Sequence, residues 1–364
     1  VAQLAAQAAV AVPTRESLAV HGCYRVTVKP GWLELAGTDS MQTVLAGTQA
    51  VETASDVVLF LPAQRFKQIL DAAPDGDITV SVSGNMARVS AGGPHWDIKM
   101  PPPRSYPELI DPGTVTFSAA RREPLLAGLK LVRRAVDRDV SRANYAQALI
   151  AKDAERMWIT GYDGTQFCRG PVDGFPFETR VPAAMLADLI KLLERSAAED
   201  VEVGETGNAL AVRTGLTVLA CQGMAAEFPD VQRLVLDPTG GYTDVLEVDR
   251  AELLRAIKRV AINAHPKTSA LGLVADKGAV TVMTRDDADN TAEERVQAAW
   301  PGERRVIVVN HVFLAGLAGA HSADKCAFRI GENRGRRLSM LRLQDPETGV
   351  ISVIPQLPAS QVGL

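Results

Sequence analysis

The chain has 364 residues, 46% of them hydrophobic, a formal net charge of −4 and a mean hydropathy of +0.02. This length allows two or three domains, each able to bury its own core, and the composition excludes a disordered or fibrous chain. No stretch approaches the roughly 18 apolar residues of a membrane helix, and the averaged charge gives no sign of a polyanion partner.

The opening run, Val1 to Val12, lacks a basic flank and is interrupted by Gln3 and Gln7. It reads as a thin helix with Val1, Ala2, Ala5 and Ala8 on one face rather than as a targeting signal, and the expected location is the cytoplasm. Leu33 to Met41 is an apolar strand that runs into a Gly37-Thr38-Asp39 corner. Leu61 to Leu70 is a second helix with Pro62 in its first turn, and Ile78 to Val82 opens a β-meander.

The middle third repeats this order. Glu123 to Val136 is a helix with Leu125, Leu126, Leu129 and Val132 on one face. Trp158 and Ile159 lead into the corner Gly161-Tyr162-Asp163-Gly164, and a further strand leaves through Phe167 and Cys168. Val181 to Ile190 is a helix with Pro182 in its first turn, and Val201 to Val203 and Leu210 to Leu219 form the next meander. In the last third the leucine register returns at Leu253, Leu254, Ile257 and Val260. A weaker corner follows at Val280 to Asp286, and Asn310 is placed to cap the helix that runs to Leu317. Corners at Asp39, Asp163 and Asp286 recur at near-constant spacing, as one domain built three times would require.

The ends of the thirds carry marks of their own. Tyr106-Pro107-Glu108-Leu109 closes the first, Phe228-Pro229-Asp230-Val231 the second, and Val353-Ile354-Pro355 stands where a third would fall. Turn-rich linkers at Asp111-Pro112-Gly113 and Asp237 to Gly241 set domain boundaries at 1–112, 113–240 and 241–364. The fold class is α+β, with two helices on one sheet face in each repeat.

Cys23, Cys168, Cys221 and Cys326 lie far apart in apolar runs, which fits small core residues in a reducing compartment better than metal ligands or disulfides. Charge is less uniform than its average. Between Arg121 and Arg142 there are seven Arg or Lys against three acids. Lys130, Arg133, Arg134, Arg138 and Arg142 fall away from the leucine face, and Arg255, Lys258 and Arg259 occupy the same register in the last third. Repeated basic helix faces in a net-acidic chain point to non-specific attraction for a polyanion. An enzyme is disfavoured. Asp39 and Asp163 belong to different repeats and cannot form a dyad, Asp286 to Asn290 lacks the glycine of a calcium loop, and no zinc, Walker or Rossmann motif is present. No cofactor or metal is implied.

In this order and spacing, the corners, the tetrads and the closing Val353-Ile354-Pro355 resemble the β sliding clamp, the processivity subunit of bacterial DNA polymerase III, over essentially the whole chain. The resemblance implies three topologically similar clamp domains per chain, with outer β-sheets and inner helices, and a homodimer closed head to tail into a ring around double-stranded DNA. It also implies a groove between the second and third domains that takes peptide motifs of DNA polymerase III, the clamp loader and other partners. Carried over by position, the groove is Tyr145, Tyr162, Gly164, Thr165, Gln166, Phe167, Pro229, Arg233, Leu234, Leu338, Met340, Val353, Ile354 and Pro355. DNA would meet Arg15, Arg133, Arg134, Arg138, Arg142, Lys258 and Arg259. Ring closure would join Trp96 and Ile98 to Ile262 and Asn263.

Departures from the family pattern accompany the match. Where the family has Gly-His-Arg-Leu after its second-domain Asp, this chain has Gly164-Thr165-Gln166-Phe167, which implies altered groove shape and charge. Residues Pro358 to Leu364 continue past the closing proline and are expected beside the groove. The family's first strand is absent ahead of the opening helix. The altered groove residues fit a divergent clamp with changed groove specificity, such as a phage copy or a second copy tolerant of groove-binding inhibitors. The competing readings are a peptide-binding repeat scaffold without DNA and a trimeric-ring clamp, the latter disfavoured by three repeats per chain.

Overall fold

The structure is a computed structural model that describes residues 1–13, 19–49, 51–53, 55–104, 106–206, 209–231, 235–236, 242–333 and 338–363. The first third folds as α1 (Ala2–Ala8), β1 (Cys23–Lys29), β2 (Trp32–Thr38), β3 (Gln42–Thr48), β4 (Val57–Pro62) and α2 (Ala63–Ala72), followed by the meander β5 (Ile78–Ser83), β6 (Met86–Ala91) and β7 (His95–Lys99). The middle third opens with β8 (Thr116–Arg121), α3 (Arg122–Val132), β9 (Gln147–Asp153), β10 (Arg156–Tyr162) and β11 (Phe167–Pro171). It continues with β12 (Thr179–Pro182), α4 (Ala183–Arg195), β13 (Asp200–Thr206), β14 (Ala209–Thr214) and β15 (Thr217–Gln222). The last third opens with β16 (Tyr242–Asp249), α5 (Arg250–Val260), β17 (Ala270–Asp276), β18 (Ala279–Arg285) and β19 (Thr291–Ala299). Then come β20 (Arg305–Asn310), α6 (His311–Gly319), β21 (Lys325–Asn333), β22 (Leu338–Gln344) and β23 (Ile351–Pro355). From the first helix onward the order is the same three times.

Two units enclose these elements. One comprises Val1–Leu126, Gly174–Pro176 and Arg180–Met224, the other Ala127–Asp173, Phe177–Thr179 and Ala225–Leu364. In the first unit an eight-stranded antiparallel sheet runs β4-β1-β2-β3-β15-β14-β13-β8, and β5-β6-β7 form a separate sheet. Helices α1 and α2 pack on these strands through Leu4, Ala5, Ala8, Phe66, Ile69 and Leu70. In the second unit the strands run β9-β10-β11-β23-β22-β21-β16-β19-β18-β17-β20. Its largest core gathers Leu253, Ile257 and Val260 of α5, Leu314 and Leu317 of α6, and the inward residues of β17 to β23.

The local signals act as expected, with two adjustments. Asp249 caps α5 by accepting from the Glu252 amide at 2.8 Å, and Asn310 caps α6 through the amides of Val312 and Phe313. Pro62 and Pro182 stand one residue earlier than expected, at the N-cap, where a missing amide N–H costs nothing. The buried face of α1 is Leu4, Ala5 and Ala8, while Val1 and Ala2 are exposed. Leu4 continues the three-to-four spacing onto the sheet, so the helix turns about its axis relative to the face read from the small residues. All four cysteines are buried free thiols, and burial pushes Cys221 up to about 12 and Cys326 up to about 11.

Candidate functional site

The three corners are one device. The Asp39 carboxylate accepts from the amides of Met41 and Gln42, at 2.9 and 2.7 Å. Asp163 does the same with Thr165 and Gln166, at 2.7 and 2.6 Å. Asp286 does so with Ala288 and Asn290, each at 2.9 Å. In each corner the Asp amide also donates to the carbonyl of Gln42, Gln166 or Asn290. These carboxylates close turns, an occupation that needs no proton or metal chemistry. Just before each corner the strand passes under a helix end. A Cβ on Gly37 would lie 2.1 Å from the Ala8 carbonyl oxygen, and one on Gly161 3.0 Å from that of Val132. The third repeat uses a side chain instead, and the Thr284 hydroxyl donates to the Val260 carbonyl at 2.6 Å.

Beyond the second corner, in the second unit, a row of side chains crosses three strands. Tyr162 stands opposite Phe167 across β10 and β11, and Phe167 opposite Val353 across β11 and β23. Met340 stands opposite Pro355 across β22 and β23. Tyr162, Phe167, Met340 and Val353 pack with Ile351, Val235 and Leu236 into one apolar cluster, with Tyr145, Phe228, Val231 and Tyr242 against it. The Tyr145 and Tyr162 rings meet edge to face at 5.8 Å, and the Tyr162 hydroxyl donates to the Gly164 carbonyl at 3.1 Å. Gly164 has φ +92°, which favours glycine, and a Cβ there would come 3.1 Å from the Arg142 guanidinium. Thr165 is exposed beside it, and Pro229 and Pro355 are half-buried.

Period two separates the remaining groove candidates from this face. Ile354 points the other way, into the core of the last repeat with Leu341. Gln166 is 8% exposed and donates to the Arg134 carbonyl at 3.1 Å and to Asp163 at 3.2 Å, so it braces the corner from behind. Arg233 and Leu234 lie outside the described residues. Leu338 begins β22, and its side chain is likewise outside them. Phe167 is 1% exposed, so its larger side chain fills the cluster instead of lining an open slot. Val235 and Leu236 escaped the sequence reading, because a linker residue gives no periodic signal of burial.

The basic candidates divide as well. Arg133, Arg138 and Lys258 are exposed. Arg134 is turned inward, donating to the Cys168 sulfur at 3.2 Å and to the Gly316 carbonyl on α6. Arg142 pairs with Asp137, donates to the Asp163 carbonyl at 3.1 Å and sits 4.7 Å from the Tyr145 ring centre. Arg259 makes a two-pronged ion pair with Glu294. Arg134 is therefore a brace of the fold, whereas Arg142 and Arg259 are exposed and hold their carboxylates at the surface. Arg15 lies outside the described residues.

For ring closure, Ile98 is 3% exposed and belongs to the core of its own unit, and Trp96 packs against that core. The alternation of β7 turns both inward, so what β7 offers a partner is its backbone edge rather than an apolar pair. Ile262, just past α5, is 84% exposed, more than any other large hydrophobic among the described residues. Asn263 donates to the Thr291 carbonyl at 3.0 Å. Residues 358–363 do not lie beside the cluster. They cross to β17 and β20, where Val362 is buried with Ala270 and Val308.

No protein-family model matches the chain. It is 22% identical over 314 residues to the beta sliding clamp of Caulobacter vibrioides, with 82% of each sequence covered. To the beta sliding clamp homolog GriR of Streptomyces muensis it is 23% identical over 332 residues, covering 90% of this chain and 87% of that one. Among solved structures, the DNA polymerase sliding clamp from Caulobacter crescentus matches with a TM-score of 0.88 at 19% identity, over 98% of this chain and 97% of that one. The DnaN sliding clamp of Pseudomonas aeruginosa bound to griselimycin matches with a TM-score of 0.87 at 18% identity, over the same shares.

Proposed function

We propose that this chain, which has the fold of the bacterial β sliding clamps and aligns with them over most of its length, is a divergent DNA sliding clamp without catalytic activity. Its domains would be 1–112, 113–240 and 241–364, and two copies would close head to tail around duplex DNA. The cluster of Tyr162, Phe167, Met340 and Val353 would receive partner peptides.

One observation carries the ring. Within the first unit, β3, the strand after the Asp39 corner, pairs with β15, the last meander strand of the next repeat. Within the second unit, β11, after the Asp163 corner, pairs with β23 in the same way. The third pairing of this kind would join β19, after the Asp286 corner, to β7. The described residues pair β7 only with β6, and pair β19 with β18 and, at its end, with β16. A junction between two chains supplies what one chain leaves over, and a head-to-tail pair makes it twice. The in-chain junctions even give its register. Thr43 faces Ala220 and Phe167 faces Val353, which puts Thr291 opposite Asp97 of the other copy.

The test is Asp97→Cys combined with Thr291→Cys. Oxidation should cross-link two chains into a covalent ring that stays on nicked circular DNA and is lost when the circle is cut. Equal retention on circular and linear DNA refutes encirclement. Charge reversal at Arg133, Arg138 and Lys258 should reduce retention and flatten its salt dependence by about one logarithmic unit per lost phosphate contact. Unchanged retention would favour the peptide-binding scaffold, a reading that draws some support from the inward turn of Arg134.

A further inference from the structure

In each of the first two repeats, the segment after the meander folds back over its own strands. The Tyr106 hydroxyl shares its one proton between the carbonyls of Cys23 and Ala36, at 3.4 and 3.3 Å, and its ring lies 4.9 Å from Phe60. In the second unit the Gln147 amide donates to the Ala226 carbonyl at 2.9 Å. Residues 356–363 form the third such cover. The Gln356 amide donates to the Ser339 carbonyl at 2.8 Å, and the Leu357 amide to the Val308 carbonyl at 2.6 Å. Leu357 and Val362 then join Ala270, Val306 and Val308 in a small apolar cluster.

The seat of Val362 is specific. The side chain is 1% exposed. It lies over Gly272, where a Cβ would come 3.3 Å from its Cγ2 and 3.1 Å from Met283. Gly363 ends the turn at φ +76°, and a Cβ there would collide with Arg285. Glycine on both sides of one buried valine makes a fitted catch rather than a chain lying loosely on a surface.

The segment that carries the catch starts one residue beyond the rim of the proposed peptide cluster. Pro355 faces Met340, and the Gln356 side chain donates to the Met340 carbonyl at 3.4 Å. Gln356 therefore ties the end of β23 to β22, while Leu357 ties it to β20. We propose that residues 357–363 are a latch that holds the rim formed by Pro355 and Met340, with Val362 as a positioning residue that touches no peptide. The proposal rests on the proposed function only for the identity of the peptide. A rim held before binding loses less freedom on binding, and the gain falls mainly on dissociation.

Three variants test it: Val362→Asp, Val362→Ile and removal of residues 357–364. Hydrogen exchange is read at the Met340 to Leu343 and Ile351 to Leu357 amides, and dissociation is followed for a peptide carrying a polymerase clamp-binding motif. Val362→Asp should raise exchange at Gln356, Leu357 and the Met340 strand, the truncation should raise it at Gln356 and the Met340 strand, and both should speed dissociation about tenfold, with the two-chain mass unchanged. Val362→Ile should leave both near wild type. Faster exchange at Leu357 with dissociation within twofold of wild type would reduce the segment to a passive cover and overturn the latch. If the wild-type chain binds no such peptide, the peptide-binding part of the proposed function fails. The latch then stands or falls on whether exchange rises at Met340 and Val353 when Val362 is released.

Discussion

Ile262 offers the sharpest test of ring closure, because a side chain that is 84% exposed in one chain would be covered in two places at once. Replacing it with alanine removes three carbons. At ~0.8 kcal/mol per buried methylene, with incomplete burial allowed for, each junction loses about 2 kcal/mol. A ring of two chains has two identical junctions that open together, so the loss is about 4 kcal/mol, roughly a thousandfold in the dimer Kd. Ile262 sits beside Asn263, which donates to Thr291, the residue placed opposite Asp97 of the other copy. Light scattering and sedimentation across a dilution series from micromolar to nanomolar measure the effect, with a mass near twice the 38.9 kDa chain at the top. Val312→Ala, at a position 57% exposed on α6, is the control and should not shift the midpoint. If Ile262→Ala and Val312→Ala dissociate at the same concentration, Ile262 is a solvated residue and the reasoning fails.

Two further outcomes are expected. Asp163→Ala removes the acceptor of two backbone amides and should cost about 1–2 kcal/mol in urea unfolding, as losing a helix cap does. Asp163→Asn keeps the accepting oxygen and should stay near wild type, and a loss as large as that of Asp163→Ala would refute the turn-closing role. His321 is 4% exposed, its ring nitrogens find no hydrogen-bond partner among the described residues, and burial depresses its pKa from 6.5 to about 4. As pH falls the unfolded chain therefore takes up the proton first. Stability from this group is full above about pH 6.5 and is lost progressively down to about pH 4, a fall on the order of 3 kcal/mol. His321→Leu should flatten the profile in that window, and parallel profiles for the two proteins would refute the assignment.

The repeat was legible because its signals are local and periodic. A carboxylate that must cap two amides leaves an Asp at the same place in every copy, and helix faces three or four residues apart read directly as leucine registers. What stayed hidden depends on which way a strand faces and on what a charge meets. The sequence order Val353-Ile354-Pro355 cannot say that Val353 joins the apolar cluster of Tyr162 and Phe167 while Ile354 turns into the core, since one residue of register reverses every side chain. Arg134 and Arg142 read as a basic surface beside Arg133 and Arg138, yet the first reaches Gly316 and the second Asp137 and Asp163. Those partners lie far along the chain or across a turn, and net charge counts them equally with open cations. The residues after Pro358 were misplaced for a related reason. Their seat is Gly272, and a glycine's absent side chain leaves no apolar signal in the sequence.

The two in-chain junctions show why only one of them is a candidate for peptide binding. At the junction of β3 and β15 the facing residues are small, with Ala36, Ala211 and Ala220 around Leu45 and Val218. Leu109 and Ile110 of the linker, with Val115 and Phe117, pack against them. At the junction of β11 and β23 the equivalent surface carries Tyr162, Phe167 and Met340, with Tyr145 and Phe228 half-buried at its margin. Large side chains with partly exposed neighbours can part and close again around an inserted anchor, whereas alanines packed under a linker have nothing to move aside. The same pairing of strands thus serves as a sealed joint in one repeat and as a yielding one in the next. The difference comes from side-chain size at a few facing positions, with the backbone topology left unchanged. Phe167 is the residue on which that difference turns, since it sits in the centre of the row and meets both Tyr162 and Val353 across its strands.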